Sequence, residues 1–309
     1  MKIYNSINDF SISSNVVLTL GTFDGVHTGH RSILDHLRNV ANKVNGETVL
    51  LTFYPHPRHV IYPDDQDLKL ISTIEERSSI LERYGLDHLI IEKFTDNFSR
   101  MKSVNFVRDI LVNKLNVKDL IIGYDHHFGR NRQGNYQELK DLSSLYQYRL
   151  RKIDPKKCNG VSVSSSKIRK LILENNFLVA NQYLGYPYML EGIVVKGNNN
   201  GSKIGFPTAN VYIENKWKLI PNDGVYAVKV IINNKHYIGM MNIGYNPTFN
   251  ARIKTLEVHI LDFNKDIYGE KIRISFYKRI RDERKFNDIN QLKATLNIDQ
   301  NKVRNIFDY

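Results

Sequence analysis

The sequence GTFDGVHTGH, residues 21–30, decides the fold of the N-terminal half because it joins an apolar run to an amphipathic one. Residues 16–20 form an apolar run typical of a buried strand, and apolar side chains recur at helical spacing over residues 31–44. His27 and His30 then lie at the entrance of the helix, where free backbone N–H groups and the helix dipole favour an anion. Two imidazoles three residues apart add donors for charge that develops on a phosphate. This order of strand, glycine-rich turn and helix favours a phosphate site over a surface loop with incidental histidines.

The same alternation of strand and helix continues to about residue 185. It predicts an α/β domain with a parallel sheet covered by helices. Ligands of such sheets bind at the carboxyl ends of the strands. Residues 21–30, 54–58 and 123–134 each follow a predicted strand, so the three segments can meet in one cleft. The predicted strands are 16–20, 48–53, 88–92, 120–123 and 149–153, and the predicted helices are 31–44, 73–84, 103–114, 135–146 and 165–184.

After residue 185 the pattern changes to short β-rich runs separated by Gly, Asn and Pro. This pattern predicts an antiparallel barrel or sandwich that ends in a helix from about residue 288. The fold class is therefore α/β plus β, with domains at residues 1–185 and 186–309, which agrees with the length of the chain. The predicted strands of this half are 190–195, 225–232, 236–242, 255–261 and 271–277.

The composition limits the partners of the chain. The 44 Lys and Arg residues against 32 Asp and Glu give a net charge of +12, which suits nucleic acid or anionic small molecules such as ATP and flavin phosphates. Both halves are mildly basic and neither has a basic tail, so nucleic acid is not an expected partner. The single cysteine, Cys158, excludes an intrachain disulfide and an all-cysteine metal site, and we interpret it as a spectator.

The distribution of apolar residues bears on location. The first ten residues lack the apolar core of a signal peptide, and no apolar run approaches about 18 residues. We therefore expect a cytoplasmic protein without a membrane partner, as a monomer or a weak homo-oligomer.

Four segments of the N-terminal half resemble, in order and spacing, the adenylyltransferase module of bifunctional bacterial riboflavin kinase/FAD synthetases. They are residues 21–30, TFYPHP at 52–57, GYDHHFG at 123–129 and VSSSKIR at 163–169. The resemblance implies a Rossmann-like HxGH nucleotidyltransferase domain that moves AMP from ATP to FMN. A phosphate oxygen of the acceptor can attack the α-phosphorus directly, so the protein has only to position the reactants and neutralise charge.

The resemblance also implies a role for each matching residue. His27 and His30 suit the α-phosphate, and Arg169 can hold a phosphate with two hydrogen bonds. The serines at the start of the next helix offer hydroxyls and N–H groups to the leaving phosphates, although a plain helix cap would explain them as well. The implied nucleotide-binding residues are Gly21, Thr22, Phe23, Asp24, Gly25, Gly123, Asp125, Ser164, Ser165 and Ser166, and the implied flavin-binding residues are Phe53, Pro55, His56, Pro57 and Phe128.

Some positions depart from the family pattern or allow a second interpretation. Ser166 stands where the family usually has Thr, which keeps the hydroxyl. His126 and His127 replace residues of other types, but without a third ligand at suitable spacing we do not expect zinc there. His56 lies between two prolines and is either held near the flavin or nucleotide, or part of a structural turn.

The C-terminal half contains the segment GNNNGSKIGFPTAN at residues 197–210. Its three glycines, spaced by four residues, would let the backbone close over phosphates, although a glycine-rich β-turn fits the spacing too. Thr208 and Asn210 point the same way in an extended segment, so their oxygens could share a Mg²⁺ with phosphate oxygens. The predicted nucleotide-binding residues are Gly197, Gly201, Lys203 and Gly205.

This segment and those that follow it resemble the riboflavin kinase module of the same family. The matching motifs are FPTAN at 206–210, GVY at 224–226, NIG at 242–244 with PTF at 247–249, LEVH at 256–259, and DF at 262–263 with YG at 268–269. The resemblance implies that Glu257 is the catalytic base, with Thr208 and Asn210 as Mg²⁺ ligands. Ser202 departs from the basic residue usual at its position, which leaves phosphate binding more dependent on Lys203.

The strand pattern is consistent with Glu257 as a base. Leu256, Val258 and Ile260 form one apolar face, so Glu257 projects from the other. A carboxylate beside Mg²⁺ and ATP can accept the proton of a ribityl hydroxyl that attacks the γ-phosphate. The charged run at residues 278–286 is either a solvated face or a segment that helps to enclose flavin.

The sequence thus predicts an enzyme that phosphorylates riboflavin to FMN and then adenylylates FMN to FAD. One alternative is an HxGH transferase for another phosphorylated acceptor, such as a pantetheine or nicotinamide mononucleotide. A second is a basic RNA-binding or regulatory protein that has kept the fold. A steep salt dependence of RNA affinity without ATP turnover would favour the second alternative.

Overall fold

A computed structural model describes residues 1–65, 67–124, 127–154, 156–158, 160–197, 200–248, 251–286 and 288–309. Contacts divide the chain into two compact units, Met1–Ser165 and Ser166–Tyr309, and each is described by itself. This division precedes the helices that follow residue 165, whereas the sequence places the domain boundary after residue 185. That domain boundary stays a prediction.

The first unit is built on a parallel sheet of six strands in the order β1-β4-β3-β2-β5-β6, as the alternating pattern predicts. Its strands are β1 (Lys2–Tyr4), β2 (Asn15–Leu20), β3 (Gly46–Tyr54), β4 (His88–Lys93), β5 (Val117–Gly123) and β6 (Arg149–Ile153). Its α-helices are α1 (Thr28–Lys43), α2 (Pro57–Ile61), α3 (Ile74–Arg83), α4 (Asp96–Ser99), α5 (Ser103–Asn105) and α6 (Tyr136–Tyr146). Single 3₁₀ turns cover Ile7–Asp9 and Arg130–Arg132, and a small hairpin pairs β7 (Lys157–Cys158) with β8 (Val161–Ser162).

The central position of β2 places the residue 21–30 turn. β2 pairs with β3 on one side and β5 on the other, and all of its residues except the first are buried. After β2 the chain adds β3 and β4 on one side of it, and it later adds β5 and β6 on the other side. Ligands of open parallel sheets bind where the strand order reverses in this way, outside the carboxyl ends of the strands. The turn that follows Leu20 therefore lies at the ligand-binding edge of the sheet.

Two predicted helices differ from the structure. The predicted helix 103–114 is a short α-helical turn followed by a π-helix, Phe106–Lys114. The predicted helix 165–184 is two helices, α7 (Ser165–Leu173) and α8 (Phe177–Leu184), because Asn175 between them has a positive φ of 60°. Asn is among the few residues that adopt this conformation at low cost, so the chain breaks there.

The second unit contains a closed barrel of six antiparallel strands in the order β10-β13-β12-β11-β14-β9, which confirms the predicted barrel. β9 closes the barrel by pairing with both β10 and β14. The elements are β9 (Met189–Val195), α9 (Asn200–Lys203), β10 (Ala209–Tyr212), β11 (Gly224–Ile232), β12 (Lys235–Thr248), β13 (Ala251–Ile260), β14 (Lys271–Arg281) and α10 (Ile289–Phe307). The sequence did not predict β10, because its four residues continue the glycine-rich segment.

Helix α8 is packed against this barrel. The ring of Phe177 stacks on Phe276 of β14 with centroids 5.4 Å apart, and it also contacts Tyr226 of β11. The side chain of Asn181 donates to the Phe276 carbonyl at 2.9 Å and accepts the Tyr188 N–H at 2.7 Å. These contacts make α8 part of the second unit.

Candidate active sites

The turn between β2 and α1 is built from residues in unusual backbone conformations. Gly25, Phe23 and Val26 have φ values of 79°, 48° and 36°. Helix α1 begins at Thr28, earlier than the predicted residue 31, so His27 is the N-cap and its Nδ1 accepts the His30 N–H at 3.3 Å. The two histidines thus occupy the cap and first turn of a helix, where backbone N–H groups are available to an anion.

Three aromatic rings are stacked at this helix start. The rings of His27 and His30 lie 3.7 Å apart and within 15° of parallel, and Phe23 covers the other face of His30 at 4.5 Å. Burial lowers the pKa of His30 well below its usual range, and the charges of His27 and Arg77 lower it further. His30 is therefore a neutral imidazole at pH 7, fixed in orientation by its two neighbours.

Asp24 holds this turn to a second loop of the same unit. Its buried carboxylate accepts the N–H groups of Ile71 and Ser72, both at 3.0 Å, and Arg77 lies 3.9 Å away. The Gly25 N–H also donates to the Ser72 hydroxyl at 3.0 Å. Asp24 thus braces the turn through a carboxylate directed into the protein, a role that its prediction as a nucleotide-binding residue did not include.

Sequence reasoning did not find Ser72 and Arg77. The only local signal was the capping box of Thr73 and Glu76, which marks the start of α3 but does not reveal a partner for Asp24.

Two further predicted segments reach the same turn. The Thr52 hydroxyl donates to the Thr22 carbonyl at 3.4 Å, and the Ser165 hydroxyl donates to the Asp24 carbonyl at 3.0 Å. A Cβ at Gly29 would lie 3.8 Å from the carbonyl oxygen of Val163. The first, second and fourth motifs therefore meet around residues 21–30.

The remaining predicted nucleotide-binding residues are either located by their position in the fold or lie outside the described residues. Gly123 ends β5 at the same edge of the sheet, and Ser164 is half-buried just before α7. Ser166 and Arg169 lie on α7 and belong to the second compact unit. Asp125 and His126 lie outside the described residues.

Several predicted flavin-binding residues make structural contacts. His56 is the N-cap of α2 and its Nδ1 accepts the Arg58 N–H at 3.2 Å, which agrees with the structural-turn alternative. Phe53 packs against Phe94 and Phe98, and Phe128 is buried in the core cluster. Pro55 and Pro57, on either side of His56, are half-buried. Flavin binding by these residues stays a prediction.

The barrel places Glu257 opposite two other polar residues. In the antiparallel ladders, Glu257 of β13 is paired with Asn210 of β10 on one side and Asn242 of β12 on the other. Directly opposed residues share a face of the sheet, so the three side chains project from the same side. The Thr208 hydroxyl donates to Glu257 Oε2 at 3.3 Å. The predicted base and both predicted metal ligands are thus brought together.

The glycine-rich segment folds tightly before β10. The Phe206 N–H donates to the Gly201 carbonyl at 2.9 Å, and a Cβ at Gly201 would overlap the Phe206 carbonyl oxygen. Gly205 has a φ of 87°, and the Asn210 amide lies where a Cβ of Gly197 would stand. Lys203 is exposed at the end of α9, and Asn198 and Asn199 lie outside the described residues. Glycine is therefore needed at residues 197 and 201 because neighbouring atoms approach closely, and at residue 205 because of its positive φ.

A cavity of 570 Å³ adjoins this segment. Its walls include Phe206 and His259, whose rings lie 5.3 Å apart, and Lys293 of α10. Burial lowers the pKa of His259, and its Nδ1 lies 2.7 Å from the Pro207 carbonyl oxygen. Sequence reasoning missed this cavity, although His259 follows Glu257 by two residues and therefore lies on the same strand face.

The oxygen atoms at the barrel site suit a hard cation whose coordination shell is completed by other ligands. Over the described ranges, no group of three or more His, Cys, Asp or Glu residues could hold a metal ion. Thr208 and Asn210 instead offer neutral oxygens beside the Glu257 carboxylate. Mg²⁺ commonly takes only one or two protein ligands together with phosphate oxygens and water, so this donor set fits it.

Comparisons with known proteins match both halves. The sequence model of the FAD synthetase family matches residues 9–167, and that of the riboflavin kinase family matches residues 184–307. A bifunctional riboflavin kinase/FMN adenylyltransferase from Buchnera aphidicola subsp. Schizaphis graminum is 37% identical over 100% of this chain and 99% of its own length. The protein of that name from Listeria monocytogenes serovar 1/2a is 36% identical, covering 95% of this chain and 93% of its own.

A solved structure is similar over the same length. The crystal structure of a protein named as a macrolide-efflux protein from Streptococcus pneumoniae matches with a TM-score of 0.89 and 32% identity, over 98% of both chains. In the part of the chain that the structure describes, no helix is both long and apolar enough to cross a membrane.

Proposed function

Because the chain belongs to the family of bifunctional riboflavin kinase/FMN adenylyltransferases, we propose how its own residues divide the two reactions. The chain phosphorylates riboflavin with ATP to give FMN, and it adenylylates FMN to give FAD and pyrophosphate. We assign the second reaction to the turn at residues 21–30 and the first to the Glu257 face of the barrel. Both reactions consume ATP, which supports a cytoplasmic location.

In adenylyl transfer, a phosphate oxygen of FMN attacks the α-phosphorus of ATP, and the bond to the β-phosphate breaks to release pyrophosphate. His27, His30 and the N–H groups at the start of α1 bind the α-phosphate and stabilise its developing charge. The stacked rings support this role, because they fix the two imidazoles before ATP arrives. Ser164, Ser165, Ser166 and Arg169 bind the leaving pyrophosphate.

In the kinase reaction, the terminal ribityl hydroxyl attacks the γ-phosphorus and ADP leaves. Glu257 accepts the hydroxyl proton. The residues Gly197, Gly201, Lys203 and Gly205 bind the phosphates of ATP, and the cavity beside Phe206 and His259 accepts its base. The observation that carries this assignment is the placement of Glu257 opposite Asn210 with a hydrogen bond from Thr208.

We assign Mg²⁺ to Thr208 and Asn210. When bound there, the ion would neutralise charge on the phosphates of ATP. The two protein oxygens would orient it on the same strand face as Glu257, and the Thr208 hydroxyl would also hold the Glu257 carboxylate in place.

The assignment is tested by titrating Mg²⁺ with Thr208→Ala and Asn210→Ala. ADP is the product of the kinase only, and pyrophosphate is the product of the transferase only, so both activities can be followed in the full chain. Each variant is expected to need about tenfold more Mg²⁺ for half-maximal ADP release, because water replaces a protein oxygen. Pyrophosphate release from ATP and added FMN serves as the control and is expected to stay unchanged. An unchanged Mg²⁺ titration of ADP release in both variants would contradict the metal assignment.

A further inference from the structure

The carboxyl group of Glu283 occupies a space that a glycine leaves open. Glu283 follows β14, in the charged run interpreted from the sequence as either a solvated face or a segment that helps to enclose flavin, and its side chain lies directly over Gly244 of β12. A Cβ at residue 244 would overlap this carboxyl group, with Oε2 only 2.8 Å away. The Tyr245 N–H also donates to the Glu283 carboxylate. The absence of a side chain at Gly244 thus lets the carboxyl group rest on the strand.

The register of the barrel places this carboxyl group on the face of the catalytic base. Gly244 is paired with Thr255, and two residues further on, Asn242 is paired with Glu257. Alternate residues of a strand share a face, so Glu283 lies over the same face as Glu257, about 7 Å along the strand. His259 and the cavity lie on the opposite side of Glu257 along β13. Glu283 therefore flanks the base on the side away from the proposed nucleotide pocket.

The charges around Glu283 leave it without an ion pair among the described residues. Arg281 pairs with Asp299 at 2.7 Å, and Lys254 pairs with Asp223 at 3.2 Å. Burial, followed by the charge of Asp223, raises the pKa of the Glu283 carboxyl; the hydrogen bond from the Tyr245 N–H and the charge of Arg281 lower it in part, and the charge of Glu257 raises it further. Arg281 and Lys254 are thus paired with other carboxylates, and Glu283 is an exposed residue whose carboxylate can accept from a further donor.

We propose that Glu283 is a specificity residue of the kinase site that binds a hydroxyl of the uncharged ribityl chain and disfavours the phosphorylated chain. A carboxylate only accepts hydrogen bonds when ionised, and a polyol offers several donors along its length. Two carboxylates over one face of the strands can therefore hold two hydroxyls of one chain. A phosphate on that chain would place negative charge close to both Glu257 and Glu283, which is unfavourable. Glu283 thus favours entry of riboflavin and departure of FMN.

The proposal rests on the assignment of Glu257 as the base, and the test keeps the two apart. Initial rates of ADP release are measured in the full chain for Glu283→Ala and Glu283→Gln. The matched control is Glu270→Gln, which alters a carboxylate that accepts from Asn233 at another place on the barrel. Because the transferase releases pyrophosphate instead of ADP, conversion of added FMN to FAD does not enter the signal.

The two variants separate hydrogen bonding from charge. Glu283→Ala is expected to raise the KM for riboflavin about 3- to 10-fold while the KM for ATP stays unchanged. Glu283→Gln keeps an acceptor oxygen, so its riboflavin KM is expected to stay near that of the parent protein. It removes the charge, so FMN is expected to inhibit it about threefold more strongly or more. Glu270→Gln is expected to change neither constant.

Gly244→Ala gives an independent test that leaves Glu283 in the chain. Its methyl group would displace the carboxyl group, so the riboflavin KM is expected to rise as in Glu283→Ala. A riboflavin KM within twofold of the parent value in folded Glu283→Ala, or unchanged FMN inhibition in Glu283→Gln, would overturn the proposal. The assignment of Glu257 as the base is contradicted by a different measurement, namely a Glu257→Gln variant that retains the kcat of ADP release.

Discussion

The two candidate active sites differ in what holds their residues in place. The turn at residues 21–30 is fixed by buried hydrogen bonds, in which Asp24 accepts from two backbone N–H groups and His30 is stacked between two rings. The Glu257 site instead uses the register of three regular strands and one side-chain hydrogen bond, from Thr208. Contacts within the protein therefore hold the residues of the first site, whereas at the second site the proposed ATP and Mg²⁺ would complete the geometry.

The backbone shows the same contrast. Phe23 and Val26 both have positive φ values in the first site, a conformation that is costly for residues other than glycine. At the second site, Asn210 and Glu257 lie in paired strands, a close backbone approach falls on Gly201, and the positive φ falls on Gly205. A strained turn needs support from the surrounding structure, so mutations near the first site are expected to affect stability as well as activity.

The largest expected effect would separate the two sites. The double substitution His27→Ala with His30→Ala is expected to lower pyrophosphate release from ATP and FMN by about 10³-fold or more, because both proposed donors to the α-phosphate are lost. ADP release from ATP and riboflavin is expected to stay largely intact. His36→Ala, an exposed histidine on α1, is the control. Equal loss of both activities in a folded double variant would contradict the assignment of separate sites.

The converse substitution acts on the barrel. Glu257→Gln is expected to reduce the kcat of ADP release by roughly 10² to 10⁴, the usual contribution of a general base. FAD formation from added FMN should not change. Chromatography of the flavins, with ADP measured in parallel, would detect both outcomes. Nearly normal ADP release would assign the base to another residue.

Two C-terminal fragments of different length test whether the second unit folds and is active by itself. Residues 186–309 contain the proposed kinase residues and are expected to fold and make FMN, but they lack α8 and the Phe177 ring. Removal of a buried Phe side chain costs about 3 to 5 kcal/mol. Residues 166–309 are therefore expected to be more stable in urea unfolding than residues 186–309 by at least that amount. Equal stability would show that α8 is dispensable, and a folded but inactive 186–309 fragment would mean that the kinase site needs residues from outside it.

The smallest expected effect concerns stability, and it compares how much one supporting side chain contributes to the free energy of unfolding at each site. Asp24→Asn turns an amide donor toward backbone donors, so it is expected to lower the free energy of unfolding of the first unit by about 1 to 3 kcal/mol. Thr208→Ala removes only a half-buried hydroxyl and is expected to change the stability of the second unit by about 0.5 kcal/mol or less. Urea denaturation followed by near-UV circular dichroism measures both. A larger loss for Thr208→Ala than for Asp24→Asn would reverse the contrast between the sites.

The sequence predicted the elements whose signal is local. The run at residues 16–20 and the pattern after residue 31 correctly indicated β2 and α1, and the β-rich runs after residue 185 correctly indicated the barrel. The break at Asn175 was missed because the apolar spacing of α7 continues into α8. Periodicity records which residues are apolar, and it does not record a single positive φ.

Partners that are distant in sequence could not be predicted. Arg77 and Ser72 reach Asp24 only because α3 and its preceding loop return to the same edge of the sheet. Glu283 lies over Gly244 because the residues that follow β14 pass the start of β11 and reach β12, and nothing in the charged run identifies that neighbour. Motifs indicated residues of the proposed chemistry, whereas the residues that support them depend on tertiary contacts.

The hydrogen bond from Ser165 to the Asp24 carbonyl also bears on the order of events during synthesis. The two residues are 141 positions apart, and a ribosome adds about 5 to 20 residues per second, so roughly 7 to 28 s separate their synthesis. Helix α1 and its histidines can form early, but the turn before them lacks the hydrogen bond from Ser165 until residues 163–169 have been synthesised. We expect nascent chains that end before residue 165 to hold β2 and α1 in place while residues 21–26 remain sensitive to protease. The proposed site for adenylyl transfer would then be among the last parts of its own unit to become rigid.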